Sequence, residues 1–468
     1  MQRIFTKKSL AILVVLMVVF TFVVSACGTT NGFVNPAMPE AGEVAGNGGL
    51  VVTYGNYLYY VNGTAASATE TNGYTGAVKN GDIVRIKIDD FKAVLALNDD
   101  EQIASSELAG EIADLVYEKA EVVVPYFYYS GNTTTKSVNG LYIFNNKLYF
   151  TTPNTELSAT GDVKNNELCI YSANLDGTDC KSLHAVKSTS AVIMLTQKGN
   201  DVYATYVVSG TLYSVKLGEE AVEIATEITS EKFESNAVFF LDKDGAICTF
   251  AAGSEESQVL VAKDEDEKLT YTINSVNGEY VYFTMKDSSN TQLYKGIYAI
   301  KAGMTEAVEI LTTVPTDTYL CYGEKVVIAG KIETTGAITP VELYVTSGQA
   351  TTKDHIIAQN SNKNAISLVK IANGVLYYTC DGKTYSVDLT ATGGYQPQEL
   401  YTTITSSDWA DVDAVEIDGV TYYFSLNTSY QIVCNEYKEV DGTKKVVTTS
   451  LTVEEPVEEE TETEGEDE

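Results

Sequence analysis

The sequence predicts an all-β fold, a single β-propeller of seven or eight blades. Three observations carry that expectation. A phrase of short strands set off by Asn-Gly or Asp-Gly turns recurs eight times, most plainly as NGVLYYTCDGKTYSVDL at 373–389. Its anchor residues, Tyr59, Tyr149, Tyr203, Phe239, Tyr282, Val327, Tyr377 and Tyr422, lie 36–54 residues apart after a first gap of 90. That spacing suits a four-stranded blade of ~40–50 residues. The repeats also run through residues 50–450, longer than a single β-sandwich usually grows.

Each half of the phrase has a physical reading. Val375–Cys380 is β-branched and aromatic between turn signals, and is expected as a strand buried on both faces. Asp381-Gly382 suits a type I′ hairpin, whose two central residues both need positive φ. Thr384–Leu389 then alternates, with Tyr385, Val387 and Leu389 on one face and Thr384, Ser386 and Asp388 on the other.

Along the chain, residues 1–26 read as a signal: Arg3, Lys7 and Lys8, then an apolar run from Leu10 to Val24, shorter than the ~20 residues that span a bilayer. The run ends Val24-Ser25-Ala26-Cys27, which resembles the lipobox of bacterial lipoproteins. The resemblance implies cleavage before Cys27, a diacylglyceryl group with palmitate-type chains on its sulfur, and a place on the extracytoplasmic face of the cell membrane. Residues 27–49, rich in Gly, Ala, Asn and Thr, read as a flexible tether. The propeller is expected over 50–453. Closing it is expected to need strands from both ends in one blade, near 50–54 and 440–453. The long first gap holds either an insertion or an unreadable blade; SSELAGEIADLVYEKA at 105–120 reads as a helix and VVVPYFYY at 122–129 as a strand. Residues 454–468 are ten acids in fifteen with no base, a tail that repels itself and has nothing to bury.

The formal charge is −33, and loss of the three signal bases makes it about −36. Nucleic acid and direct docking on anionic lipid headgroups are therefore excluded as partners. Of seven cysteines, Cys27 is assigned to lipid; the other six show neither a disulfide framework nor a zinc pattern. Cys169 and Cys180, astride NLDGT, form the one local pair to test. No catalytic, cofactor or metal site is read. His184 and His355 sit in no ligand pattern, and neither GxSxG, SxxK nor a phosphate loop occurs. Asp242-Lys243-Asp244-Gly245 begins like a calcium loop, but its twelfth position is Gly253, so it reads as a turn.

The units LYYVNG, KLYFTT, LYSVKL, ELCIYSANLDGT and VLYYTCDGKTYSVDL resemble the Tyr-rich propellers of bacterial lipoproteins, often grouped with low-density-lipoprotein-receptor-related propeller domains. NLDGT at 174–178 resembles the blade turns of TolB-like propellers. The chain lacks the Tyr-Trp-Thr-Asp motif, the Trp-Asp dipeptide and the Asp-box, so no functional residues carry over. The resemblance implies a surface-exposed propeller. With 32 Tyr against 14 Phe, most rings are expected in blade packing. Tyr126, Tyr128, Tyr129 and Trp409, which lie outside the clean repeat, are the candidate ligand-binding residues, for stacking on sugar or peptide. The expected function is a lipid-anchored, non-catalytic binding or scaffold module with an unknown protein or glycan partner. The alternatives are a polysaccharide-active enzyme using two carboxylates and an envelope-assembly factor.

Overall fold

In the computed structural model, the described residues are 34–63, 81–99, 103–125, 140–153, 167–188, 190–234, 236–264, 268–287, 290–331, 341–348, 354–360, 366–392, 394–402, 413–427, 429, 431–440 and 442–454. They form eight antiparallel sheets, each a meander of strands in chain order, the blade pattern of an eight-bladed β-propeller. Blade 1 has five strands: Val44–Ala45, Val51–Tyr54, Tyr57–Val61, Ile83–Lys87 and Glu121–Val124. Blades 2 to 8 have four strands each, over 142–186, 193–225, 229–261, 269–311, 318–360, 367–402 and 413–450.

The eight anchors fall one to a blade. In blades 2 to 8 each lies in the second strand of four; Tyr59 lies in Tyr57–Val61, the second full-length strand of blade 1. The first gap is an insertion. Helix α1 (Ile88–Ala96) and helix α2 (Leu108–Lys119) stand between the fourth and fifth strands of blade 1. They bury Phe91, Val94 and Leu95, and Ile112 and Val116, at helical spacing. The phrase itself folds with one revision. Asp381 (φ 54°) and Gly382 (φ 70°) make the predicted turn, but in Val375–Cys380 only Leu376 and Tyr378 are fully buried. Ser367–Ala372 precedes this strand in the sheet.

The chain groups into two compact units: 1–190 with 413–435 and 448–468, and 191–412 with 436–447. In the first unit, strand Tyr57–Val61 shows why blades need apolar residues on both faces. Leu58 and Tyr60 join a core with α1, α2 and blade 8, where Phe91 lies 5.2 Å edge-on to Tyr422. Tyr59 and Val61 join a core with Leu148 and Phe150 of blade 2. In the second unit, successive blades are sealed by similar clusters, such as Phe239, Ile247, Val281 and Phe283 between blades 4 and 5.

Closure differs from the expectation. The N-terminal and C-terminal strands occupy separate blades, 1 and 8. Instead, residues beyond the last strand of blade 8 lock onto blade 1. The buried Asn62 amide donates to the Val453 carbonyl (3.0 Å) and accepts from its N–H (2.8 Å), while Tyr60 donates to the Leu451 carbonyl at 2.9 Å. On the other side, the Val51 N–H donates to Asp413 at the start of blade 8 (3.0 Å).

Arg85, one of two arginines in the chain, is wholly enclosed in blade 1. It donates to Glu121 (2.8 Å), the Tyr59 hydroxyl (3.3 Å) and the Leu175 (3.4 Å) and Ala37 (2.6 Å) carbonyls, and its guanidinium lies 4.2 Å over the Tyr57 ring. Part of the segment read as a tether is held this way. Asn35 also donates to the Asp176 carbonyl (2.9 Å), and Asn47 accepts from the Ile143 N–H (2.8 Å). The NLDGT turn faces blade 1. At Gly177 (φ 81°) a Cβ would lie 1.8 Å from the Val123 carbonyl oxygen, so only glycine fits.

Many of the described tyrosines pack within the blades. Cross-strand partners stack in four blades: Phe150 with Tyr171, Tyr206 with Tyr213, Phe283 with Tyr298, and Tyr378 with Tyr385, at 5.2–5.7 Å between centroids. Burial pushes Tyr59 and Tyr206 up to about 12, and the Cys248 and Cys321 thiols likewise to about 12. The folded state thus holds protons that the unfolded chain releases from the ordinary values of 10 and 9. This contribution is complete below those values and is lost as pH rises to about 12. The urea midpoint is therefore expected to fall steeply from about pH 9 to pH 12. A midpoint independent of pH across that window would contradict the assignment.

Candidate functional site

The residues singled out by the sequence, Cys27, Tyr126, Tyr128, Tyr129 and Trp409, all lie outside the described residues. Cys169 carries no disulfide, so Cys169 and Cys180 are not bridged to each other; the Cys169 sulfur instead meets the Ser182 hydroxyl at 2.9 Å. Asp242 is the cap of its own turn: its carboxylate accepts the N–H groups of Asp244 and Ala246, each at 2.9 Å. His184 lies in Lys181–Val186, and its pKa is lowered by burial. The Asp179 carboxyl is held below its ordinary value by Lys147 and Lys181, and that of Asp388 by its bonds from Thr390. Among the described residues no cluster of His, Cys, Asp or Glu could hold a metal ion, and no helix is long and apolar enough to cross a membrane.

A pocket of about 450 Å³ lies in the second unit, where blade 4 meets the Gly278-Glu279 turn of blade 5. Its origin is a local change in the repeat. Strands Ala237–Leu241 and Ile247–Ala251 pair Phe239 with Thr249 and, two residues nearer the strand end, Ala237 with Ala251. The position matching Ala237 and Ala251 holds Lys147 and Asn174 in blade 2, Tyr280 and Lys301 in blade 5, and Val375 and Asp388 in blade 7. Two alanines leave that space open in blade 4. Phe239 (3% exposed) and Thr249 (7%) form its floor.

Carboxylates surround the opening: Glu234, Glu255, Glu256 and Glu279. Glu234 accepts from the Gly278 N–H at 3.3 Å, and Glu279 pairs with Lys301, also at 3.3 Å. Lys301 in turn lies 5.0 Å over the Tyr280 ring. No lysine or arginine pairs with Glu234, Glu255 or Glu256 among the described residues. The lining includes no histidine, cysteine, lysine or arginine. The arrangement offers an apolar floor, the Thr249 and Ser254 hydroxyls and a negative rim. Sequence reasoning missed it. The available signal was the small residue two places before anchor Phe239, mirrored by Ala251 across the DKDG turn.

No family model matches the chain, and no curated protein matches it. Solved structures do. The β-propeller domain of the Trilobed protease from Pyrococcus furiosus, described as having an open velcro topology, is 14% identical over 67% of this chain and 97% of its own, with a TM-score of 0.35. A prolyl endopeptidase is 10% identical, covering 84% of this chain and 55% of its own, with a TM-score of 0.36. The polysaccharide lyase Uly1 is 11% identical over 79% of this chain and 92% of its own, with a TM-score of 0.32.

Proposed function

We propose that the protein is a lipid-anchored β-propeller on the extracytoplasmic face of a bacterial membrane, acting as a non-catalytic binding or scaffold module. The observation that carries the reading is Val24-Ser25-Ala26-Cys27 after a basic and apolar N-terminus. A diacylglyceryl group on Cys27 supplies the two chains that stable anchoring requires. A binding role is supported by the blade 4 pocket, whose lining sets carboxylates beside apolar groups. The stretch from Cys27 to Asn35, which is tied to the blades, spans at most about 28 Å of extended chain. The anchored propeller would thus stand close to the bilayer, with the blade 1–blade 2 edge nearest the lipid.

Metabolic labelling with a palmitate analogue tests the anchor. The wild-type chain is expected to take up the label and sediment with membranes, and Cys27→Ser to lose the label entirely. Labelling that persists in Cys27→Ser, or a wild-type protein without label, would overturn the anchor.

A further inference from the structure

We propose that the blade 4 pocket binds an organic cation: an alkylammonium or alkylguanidinium group whose aliphatic stem lies on Phe239, Ala237 and Ala251. This deepens the reading of the protein as a binding module and does not depend on the lipid anchor. The volume of about 450 Å³ is that of a small-molecule site. Four carboxylates on its rim face one paired ammonium, Lys301; a second ammonium, Lys198, is held on the Gly253 carbonyl at 2.8 Å, beside Ser254. The rim therefore keeps an excess of negative charge, and an anionic ligand would be repelled.

An independent observation comes from the floor. Thr249 is more than nine-tenths buried, it lines the pocket, and its hydroxyl has no partner among the described residues. That hydroxyl is open to the pocket, and a ligand N–H reaching the floor would bond to it. A bare metal ion does not fit: the acids are spread around the rim, and no group of three could hold a metal. A neutral sugar would leave the carboxylates unused and face few donors. A cation with methylenes uses every part of the lining, since its stem buries apolar area on Phe239 and the two alanines while its charge meets Glu234, Glu255 and Glu256.

The test is calorimetric titration of the full-length protein in detergent micelles at physiological salt. The probes are spermidine, for a free polyamine, and an N-acetylated, C-amidated lysine peptide, for a basic side chain. Magnesium at equal charge reads diffuse attraction to the acidic tail. Saturable one-site binding of either amine is expected, weakened at least tenfold in Glu255→Gln/Glu256→Gln. Ala237→Tyr, which fills the space as Tyr280 does in blade 5, is expected to abolish it, and Thr249→Val to weaken it several-fold. The two exposed glutamines leave the fold intact, so a misfolded Ala237→Tyr variant would not rescue the idea. Spermidine alone binding assigns a free amine, and the peptide binding assigns a basic side chain of a partner. Neither amine binding, unchanged affinity in the double glutamine variant, or magnesium competing on equal terms would each overturn the site. If the wild-type chain is acylated and neither amine binds, this ligand class falls and the anchor stands; amine binding without acylation gives the reverse.

Discussion

Arg85→Ala is expected to cost about 3 kcal/mol of stability, the low end of what breaking a buried ion pair costs, because the partner Glu121 is 45% exposed. Water can still reach Glu121 once the guanidinium is gone. It cannot readily reach Tyr59, which is fully buried and shares the Leu175 carbonyl with Arg85. The loss therefore comes mainly from polar groups stranded between blades 1 and 2 and from the cavity left beside the Tyr57 ring. Arg85→Met separates the two, since it keeps the stem and removes the donors. A urea midpoint for Met close to that of Ala would show that the hydrogen bonds dominate; one close to wild type would show that packing does. Because Arg85 also holds the Ala37 carbonyl, both variants should speed hydrogen exchange in residues 35–47. Unchanged midpoints in both would contradict the structural role given to Arg85.

Much of the blade order was legible because it rests on local rules. Hairpin turns carry their own signals, such as Asp381-Gly382 and Asn373-Gly374, and both central residues of each have positive φ as a type I′ turn demands. Alternation between turns then placed the anchors in equivalent strands. The features that make this chain distinctive depend instead on contacts far apart in sequence. Arg85 reads as a surface base in an alternating strand until Leu175 and Ala37 are brought to it. The blade 4 pocket is legible only as an absence of bulk at Ala237 and Ala251, and becomes a site once Glu279 arrives from the next blade. Closure was misread for a related reason. A strand near 443–450 could pair with the chain's start or with its own hairpin neighbour, and its apolar pattern is the same in both cases. The short connection between Ile432–Val440 and Thr443–Ser450 favours the neighbour, since closing a small loop loses less entropy than closing one of nearly 400 residues.

That misreading leads to the second large effect. A chain ending at Ser450 is expected to lose about 5 kcal/mol, whereas one ending at Glu454 should keep the wild-type urea midpoint. Only residues 451–453 separate the two in contact with blade 1. Leu451 and Val453 are buried in the core shared by blades 1 and 8, and burying such side chains stabilises by about 1.5–3 kcal/mol each. Asn62 would lose both bonds to the Val453 backbone in a site with no measurable exposure, adding about 1–3 kcal/mol. The Tyr60 hydroxyl would lose the Leu451 carbonyl as well. If the two truncations behave alike and both match wild type, blades 1 and 8 hold together without the clasp, through the Asp413–Val51 bond and the rest of the core they share. If only the shorter chain fails, three residues past the last strand do the work that a shared blade does in a propeller closed by pairing its two ends.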